Sequence, residues 1–259
     1  SVSVAREKIL QGISPLTSEK CSIHSAHNRI VAEDLTALIS HPAQAVSAMD
    51  GYAFKHDRIF KAGHTLNVIG KSPAGVNFER RVDKREAVRV YTGSAMPAGT
   101  DTVIIQENTK VYANNLILKK IPQKNENVRK KAFDFKIDDI LIRKGEKLTP
   151  KNISLAASMN HTSLSVYQKP RIAIISNGNE LVKPGSRNAQ NKIISANIFG
   201  IKAYIEQLGA TADDLGIAKD DIKSLREKIK KAGNHDIILT IGGASVGEFD
   251  LVKDSVRQE

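Results

Sequence analysis

The sequence predicts an α/β protein with an additional β-rich region: short strands come first, and a three-layer α/β domain follows. Two observations lead to this prediction. Between Cys21 and Leu148, short β-branched runs are separated by Gly, Pro and Asn, a pattern typical of short strands. After Pro170, apolar runs alternate with amphipathic segments of helical length. That alternation indicates right-handed crossovers and a parallel sheet with helices on both faces.

The first predicted element is a helix. Apolar residues at helical spacing place it between Val4 and Ile13, and Pro15 follows its end. A second helix is predicted to begin at Thr149-Pro150, because Thr is a favoured N-cap and Pro is favoured at the first helical position. The strand candidates of the intervening β-rich region are Thr65–Ile69, Ala87–Tyr91, Thr102–Ile105 and Leu116–Leu118.

The α/β region is predicted to contain three strands and two helices. The strand candidates are Ile172–Ser176, Leu215–Ile217 and Ile237–Ile241. The helix candidates are Ala196–Leu208, closed by Gly209, and Asp220–Ala232, closed by Gly233. Because open α/β sheets bind ligands outside the carboxyl ends of their strands, the loops after these strands are where a ligand is expected.

The charge balance is basic, with 39 Lys and Arg against 28 Asp and Glu in 259 residues, a net charge of +11. The excess is concentrated between Lys119 and Lys147. A single-stranded nucleic-acid interface would also need aromatic side chains for stacking, but only 5% of the residues are aromatic and Trp is absent. We therefore expect no nucleic-acid partner and interpret the patch as a solvated face or a surface that attracts a small anion.

Cysteine usage and hydropathy predict the compartment. Cys21 is the only cysteine, which excludes an intrachain disulfide and fits a reducing environment. No apolar run approaches the ~20 residues that a membrane helix needs, and the N-terminal residues lack the apolar core of a secretory signal. The sequence thus predicts a cytoplasmic protein with no membrane partner.

Acidic residues follow the three strands of the predicted parallel sheet. Glu180 comes after the first, Asp220 after the second and Asp250 after the third. The third loop also contains Gly242-Gly243-Ala244-Ser245-Val246-Gly247, where glycines let the backbone approach an anion such as phosphate. Carboxylates beside a phosphate need a cation between them, so the combination suggests a phosphate or nucleotide ligand with Mg²⁺. A simple glycine turn, and a helix-capping role for Asp220, are the structural alternatives.

Two loops of the β-rich region also contain polar side chains at tight turns. One places Asp50 beside Gly51, and the other, residues 91–99, includes Thr92 after a predicted strand. Each could equally be an ordinary surface loop. His24 and His27 lack a Cys or acidic partner at metal-ligand spacing, so no zinc site is expected.

Seven segments, in this order, carry a family resemblance. They are SAMDGYA (47–53), VRVYTGSAMPAGTDTVIIQE (88–107), NVRKKAFD (127–134), GEKLTP (145–150), PRIAIISNGNEL (170–181), LGIAKDD (215–221) and GGASVGEFDLVK (242–253). Together they resemble the MoeA family, the molybdopterin molybdenumtransferases, which includes the C-terminal domain of gephyrin. They are spread along the chain from residue 47 to residue 253.

The resemblance implies a MoeA-like multidomain fold with a MogA-like three-layer α/β domain and an inserted β-rich domain. The implied divisions are an N-terminal helix (1–16) packing on the α/β domain, a linker and dimerisation domain (17–36 with 138–165), the inserted β-rich domain (37–137) and the molybdopterin-binding α/β domain (166–259). The family continues beyond this point through a lysine segment into a further β domain. We therefore expect an incomplete α/β domain and no C-terminal β domain in this chain.

The activity that the resemblance implies is the insertion of molybdate into adenylylated molybdopterin, with Mg-dependent hydrolysis of the adenylyl link and release of AMP. It also implies a homodimer and a MogA-type adenylyltransferase as a partner. The family's catalytic positions fall on Asp50, Thr92, Asp134, Glu180, Asp220 and Asp250, of which Asp220 and Asp250 are the magnesium candidates. The implied substrate-binding positions are Ser176, Gly178, Gly242, Gly243, Ser245 and Gly247.

Three departures from the family pattern remove carboxylates. Phe133 replaces the Glu of a GED motif, Asn179 replaces the Asp of TGDEL, and Ser195 replaces the Asp of DSN. These changes leave an alternative function open. The chain would then be a non-catalytic paralogue or fragment that binds molybdopterin or a nucleotide without turnover.

Overall fold

A computed structural model describes residues 1–187 and 189–242, and the structural statements below refer to these residues. The helices are α1 (Val2–Gln11), α2 (Pro150–Ser158), α3 (Asn197–Leu208) and α4 (Ile222–Lys231). The strands are β1 (Ser18–Ser22), β2 (Leu35–Thr36), β3 (Val46–Ser47), β4 (Gly51–Phe54), β5 (Thr65–Ser72), β6 (Glu86–Val90), β7 (Thr102–Ile105), β8 (Thr109–Tyr112), β9 (Asn115–Leu118), β10 (Val128–Arg129), β11 (Ile140–Ile142), β12 (Ser163–Tyr167), β13 (Arg171–Asn177), β14 (Leu181–Val182), β15 (Ile193–Ile194), β16 (Thr211–Ala218) and β17 (Ile237–Ile241).

The chain folds into two compact units. The α/β unit comprises residues 1–33, 144–153 and the described residues from 163 onward, and the β-rich unit comprises residues 34–143 and 154–162. The finer division that the resemblance implies, with boundaries at 36/37, 137/138 and 165/166, stays a prediction.

A parallel sheet with the order β16-β13-β17 is the centre of the α/β unit. Its middle strand is covered on both faces, because successive side chains of a strand point in opposite directions. Ile174 packs with Ile198 of α3, and the next residue, Ile175, packs with Leu225 of α4. Both isoleucines are fully buried. The predicted three-layer arrangement is confirmed.

The helices of this sheet begin and end close to the predicted positions. Gly209 closes α3 in the left-handed conformation, with a φ of 98°, as a C-terminal glycine is expected to do. The N-cap of α4 is Asp221, whose carboxylate accepts a hydrogen bond from the backbone N of Ser224 at 2.7 Å. The alternative in which Asp220 caps this helix is therefore wrong. The predicted closure of α4 by Gly233 is also wrong, because the C-cap of this helix is Ala232.

The remainder of the α/β unit is built on a two-stranded antiparallel pair, β1 with β12. Cys21 in β1 is buried. Helix α1 lies two residues earlier than predicted, and none of its residues is buried. Its C-terminal end borders an apolar cleft of about 910 Å³ whose lining includes Leu10, Ile30 and Ile237. The more extensive packing of α1 on this unit stays a prediction.

The β-rich unit contains a six-stranded sheet with the order β7-β4-β6-β5-β9-β8. All neighbouring pairs are antiparallel except β5 with β6. Both faces are buried: Phe54 and Ile104 lie in one apolar cluster, and Ala53 and Val103, their neighbours in sequence, lie in another. The four predicted strands of this region are confirmed, and Thr102–Ile105 matches β7 at both ends.

Helix length and hydropathy bear on the membrane prediction. Among the described residues, no helix combines the length and the apolar composition that a bilayer-spanning segment requires.

Candidate functional site

The carboxyl ends of β13 and β16 lie side by side, and this neighbourhood places Asp220. The backbone N of Gly178, after β13, donates to the carbonyl O of Ala218 at the end of β16 over 3.2 Å. The carboxylate of Asp220 then accepts two hydrogen bonds from the β13 side, one from the Nδ2 of Asn177 at 3.0 Å and one from the backbone N of Asn179 at 3.0 Å. Asp220 therefore lies at the edge of the sheet where the ends of β13 and β16 meet, and its role in binding or catalysis stays a prediction.

Glu180 lies in the same loop, with its carboxylate turned back over Gly178. A β-carbon on Gly178 would lie 2.5 Å from the Oε1 of Glu180, and the φ of this glycine is +153°. Only a residue without a side chain leaves that space to the carboxylate. Glu180 is exposed, whereas Gly178 and Ser176 are buried. The loop thus presents an acid to solvent above a buried backbone turn.

A small cavity of about 280 Å³ opens on the α3 side of these strand ends. Ser176 and Ser195 lie in its wall, with their Oγ atoms 3.1 Å apart, and Lys183 supplies a positive charge. The other lining residues are Pro184, Ile198, Phe199, Asp214, Gly216 and Ile217. The hydroxyls and the lysine can donate hydrogen bonds to an anionic group of modest size.

The C-terminal ends of β17 and β13 lie in close contact. A β-carbon on Gly242 would lie 2.5 Å from the backbone O of Asn177, and the φ of Gly242 is +95°. This glycine therefore allows the two strand ends to approach each other. Gly243, Ser245, Gly247 and Asp250, the remaining predicted residues of this loop, lie outside the described residues, and their roles stay predictions.

The donor set at Asp220 is compatible with a magnesium ion. Mg²⁺ prefers oxygen ligands and commonly uses only one or two carboxylates, with waters at its other positions. The Oδ1 of Asn177 is a second oxygen at this edge, and it is buried without a hydrogen-bond partner among the described residues. Those residues contain no group of three or more His, Cys, Asp or Glu side chains arranged to hold a metal. The residues fit a weakly held, largely hydrated ion.

In the β-rich unit, the register of β4 and β6 brings Asp50 to Thr92. Gly51 pairs with Val90, so the residues just before β4 and just after β6 are neighbours. The Oδ1 of Asp50 accepts hydrogen bonds from the backbone N of Thr92 at 2.8 Å and from its Oγ1 at 2.9 Å. These two donors, with the Arg89 charge nearby, hold the pKa of the Asp50 carboxyl below its ordinary value. Asp50 is therefore an ionised acceptor at neutral pH.

Asp134 lies elsewhere in the β-rich unit, beside a histidine. Its Oδ2 is 3.7 Å from the Nε2 of His41, and both side chains are about half exposed. The His41 ring stacks on Phe135 with 5.6 Å between ring centroids. Backbone hydrogen bonds between His41 and these two residues fix the arrangement. Among the described residues, the hydrogen bonds of Asp134 do not connect it to Asp50 or Thr92.

Sequence reasoning missed several polar neighbours of these sites. Asn177 is absent from the predicted functional residues, although its side chain donates a hydrogen bond to Asp220. His41 beside Asp134 and Lys183 in the small cavity were also missed. Arg89 had one local signal, a single cation inside the apolar strand pattern of residues 87–91. For the others the partner is distant in sequence, and no spacing rule would have found it.

Comparison with protein families decides the classification. A family model described as the MoeA N-terminal region (domain I and II) matches residues 1–160. The chain belongs to the MoeA family. A second model, described as a probable molybdopterin binding domain, matches residues 173–259, the region that contains the α/β site.

Individual relatives agree with membership of the MoeA family. A molybdopterin molybdenumtransferase from Haemophilus influenzae is 34% identical over 96% of this chain, and one from Nostoc is 32% identical over 91%. The chain spans 62% and 55% of the lengths of these two relatives.

A solved structure confirms the fold class. A molybdopterin biosynthesis MoeA protein from Pyrococcus horikoshii superposes with a TM-score of 0.84 at 30% identity. The superposition covers 97% of this chain and 64% of that one. The predicted combination of α/β and β-rich domains is therefore that of MoeA.

Proposed function

We propose that this MoeA-family protein is a molybdopterin molybdenumtransferase of molybdenum cofactor biosynthesis. It would insert molybdate into adenylylated molybdopterin, with water adding across the adenylyl link and AMP leaving. The observation that carries the proposal is the pair of family matches, MoeA N-terminal over residues 1–160 and molybdopterin-binding over residues 173–259. The relatives from Haemophilus influenzae and Nostoc are both named molybdopterin molybdenumtransferase.

The α/β site supports recognition of the phosphate-bearing end of such a substrate. Ser176, Ser195 and Lys183 offer donors to an anion in the small cavity. Asp220 stands at the neighbouring strand end, held by Asn177 and the Asn179 backbone. An anion and a carboxylate at one sheet edge repel unless a cation lies between them, and this is the position that the proposal gives to magnesium.

Asp220 and the Oδ1 of Asn177 would hold that magnesium, with Asp250 as a further proposed ligand. The ion, when bound, would neutralise charge on the phosphate oxygens. The residues of the chain have separate tasks: Asn177 and Asn179 keep Asp220 in place, and Gly178 lets Glu180 turn back over the loop.

Asp50 would act as an orienting acceptor. A general base works best when its pKa lies near the working pH, and the pKa of Asp50 is moved in the opposite direction by Thr92. The carboxylate is consequently suited to orienting a water or a substrate N–H or O–H group. The Thr92 hydroxyl is already committed to the carboxylate Oδ1 and fixes its direction.

A second function is favoured by one observation, the neutral Asn179 in place of an acid. With Phe133 it leaves fewer carboxylates than the family pattern contains. A protein with these changes would still bind molybdopterin or a nucleotide, because the serines, Lys183 and Asp220 remain. It would then be a non-catalytic paralogue.

The test uses the full-length protein with adenylylated molybdopterin, molybdate and Mg²⁺, and measures AMP release. Wild-type protein should release AMP, Asp50→Asn should release it roughly 100-fold more slowly, and the exposed control Asp83→Asn should match wild type. Calorimetric binding of the substrate without AMP release would establish the non-catalytic alternative. If the protein neither binds the substrate nor releases AMP, both proposed functions are refuted.

The proposal includes two partners. The MoeA assignment supports a homodimer, which light scattering of the purified full-length protein would show as twice the chain mass. A MogA-type adenylyltransferase would supply the adenylylated substrate, and co-sedimentation with such a protein tests direct transfer.

A further inference from the structure

Arg89 is a charged residue of β6 that lies between two valines packed into the sheet. In β6, its neighbours Val88 and Val90 are fully buried, whereas Arg89 is half-buried. In the sheet register it lies opposite Tyr52 of β4 on one side and Lys71 of β5 on the other. A guanidinium in this position must be accommodated by specific neighbours, because burying part of a charge without partners is costly.

Those neighbours hold the guanidinium on three sides. Its Cζ lies 5.0 Å from the ring centroid of Tyr52 and 5.2 Å from that of Tyr91. An Nη2 hydrogen bond of 2.5 Å to the Oε1 of Gln106 fixes the third side. Two aromatic faces and a planar fork suit Arg and not Lys, whose ammonium is a compact point charge.

Each of the three contacts comes from a segment that also positions Asp50 or Thr92. Tyr52 is two residues after Asp50, and Tyr91 directly precedes Thr92. Gln106 follows β7, and its backbone N donates to the carbonyl O of Asp50 at 3.2 Å. One side chain therefore joins the ends of β4, β6 and β7 where the Asp50–Thr92 pair is formed.

We propose that Arg89 is a positioning residue for the Asp50–Thr92 pair, holding the three strand ends so that the carboxylate keeps both of its hydrogen bonds to Thr92. The proposal rests on the proposed function only in assuming that this pair acts on the substrate. The same guanidinium places a positive charge near Asp50, so its loss would affect both the geometry and the ionisation of the carboxylate.

The experiment follows the backbone amide of Thr92 by NMR during a pH titration of the 259-residue protein. Because this amide donates to Asp50, its chemical shift reports the protonation of the carboxylate. In Arg89→Met the midpoint should rise and the hydrogen-bonded shift of the amide should diminish. Lys71→Met, which removes a charge from the adjacent strand position, should leave both unchanged. An unaltered titration in folded Arg89→Met would overturn the proposal.

A second variant covers the case in which Arg89→Met does not fold. Gln106 is exposed, so Gln106→Leu releases one side of the guanidinium while the charge remains. A positioning role requires the Thr92 amide to change in this variant as well, by less than in Arg89→Met. No change in Gln106→Leu would overturn the positioning role.

Activity of the full-length protein separates this proposal from the proposed function. Arg89→Met should lower kcat for AMP release roughly 10- to 100-fold with a smaller change in KM, because the effect passes through Asp50. If Asp50→Asn retains full activity, the proposed function of the pair fails while the NMR result still stands. If Asp50→Asn is inactive and Arg89→Met retains wild-type kcat, the positioning role fails alone.

Discussion

Gly51 is the residue whose replacement should disturb the β-rich unit most directly. A β-carbon at this position would lie 2.0 Å from the carbonyl O of Ile104 and 2.9 Å from its carbonyl carbon, both backbone atoms of β7. Non-bonded carbon atoms settle at a separation of roughly 3.5 Å, so Gly51→Ala must separate β4 from β7 by about 1 Å. No side-chain rotation can relieve the overlap, because the atoms involved belong to the backbone.

The cost of that separation follows from the hydrogen bonds it lengthens. Asp50 O accepts from the backbone N of Gln106 at 3.2 Å and Phe54 O accepts from the backbone N of Asp101 at 3.1 Å, at the two ends of the β4–β7 pair. An added 1 Å would exceed the usual limit of roughly 3.2 Å. Each broken hydrogen bond is worth about 1 kcal/mol, and the apolar packing behind β7 also weakens, so we expect a destabilisation of about 3 kcal/mol.

Hydrogen exchange at the Gln106 and Asp101 amides measures this locally. A local probe is needed because the chain has two compact units, and a single free energy of unfolding is then poorly defined. A loss of about 3 kcal/mol corresponds to roughly 100-fold faster exchange. The Val31 amide in the α/β unit, bonded to Glu146 O at 3.0 Å, provides the internal reference.

The matched control is Gly200→Ala in α3. Apart from the adjacent residues and the nearby backbone of α3 itself, no described atom lies within 4 Å of a β-carbon built there, and alanine is favoured over glycine in a helix by about 1 kcal/mol. This variant should therefore be slightly more stable than wild type. If Gly51→Ala exchanges at Gln106 and Asp101 within about threefold of wild type, the close-approach argument is refuted.

Three further predictions concern charged groups. Thr92→Val removes one of two hydrogen bonds to Asp50 and should raise the pKa of that carboxyl in an NMR titration, whereas Thr92→Ser should leave it nearly unchanged. The His235 hydrogen bond lowers the pKa of Asp213, so its stabilisation is present above the unfolded pKa and is lost as pH falls through the folded value. Asp213→Asn should therefore lose less stability than wild type between pH 7 and pH 3, measured by hydrogen exchange at the Asp236 amide, which donates to the carbonyl O of Arg171 at 2.9 Å. Asn179→Asp should tighten Mg²⁺ binding roughly tenfold by calorimetry, and equal affinities would contradict the magnesium assignment.

The fold could be predicted where a periodic pattern is long enough to decide it. The continuous apolar run at 172–176 and its alternation with helical segments identified the parallel sheet, since buried parallel strands have this composition. The two-residue strands β2, β3, β10, β14 and β15 were not predicted, because two residues carry no periodicity. Their existence depends on pairing with distant segments, as β3 with β10.

The start of α4 illustrates why element boundaries resist prediction. Asp220 and Asp221 are adjacent, and both are suitable N-cap residues. The structure selects Asp221, which bonds to Ser224 N, and leaves Asp220 to face Asn177 and Asn179. The choice depends on where β13 ends in space, information that local sequence does not contain.

The candidate site shows the same division between local and tertiary information. Strand ends and glycine turns identified the loops of Asp50, Thr92, Glu180 and Asp220. The sequence could not show that Asp50 bonds to Thr92, because that depends on the register of β4 against β6. The role proposed for Arg89 depends on contacts with Tyr52 in β4, Tyr91 after β6 and Gln106 after β7, so a scan for motifs would not distinguish it from an ordinary surface cation.

The substitution at Asn179 changes the electrostatics of the site in a definite direction. Its backbone N donates to Asp220, and its Oδ1 accepts from the backbone N of Asp220 at 3.3 Å, so the two residues share one loop-to-loop contact. A carboxylate at 179 could make the same hydrogen bonds, but it would place a second negative charge beside Asp220 and would need a cation to offset the repulsion. The neutral amide removes that need. The same two hydrogen bonds therefore join the loops with one negative charge fewer at this edge of the sheet.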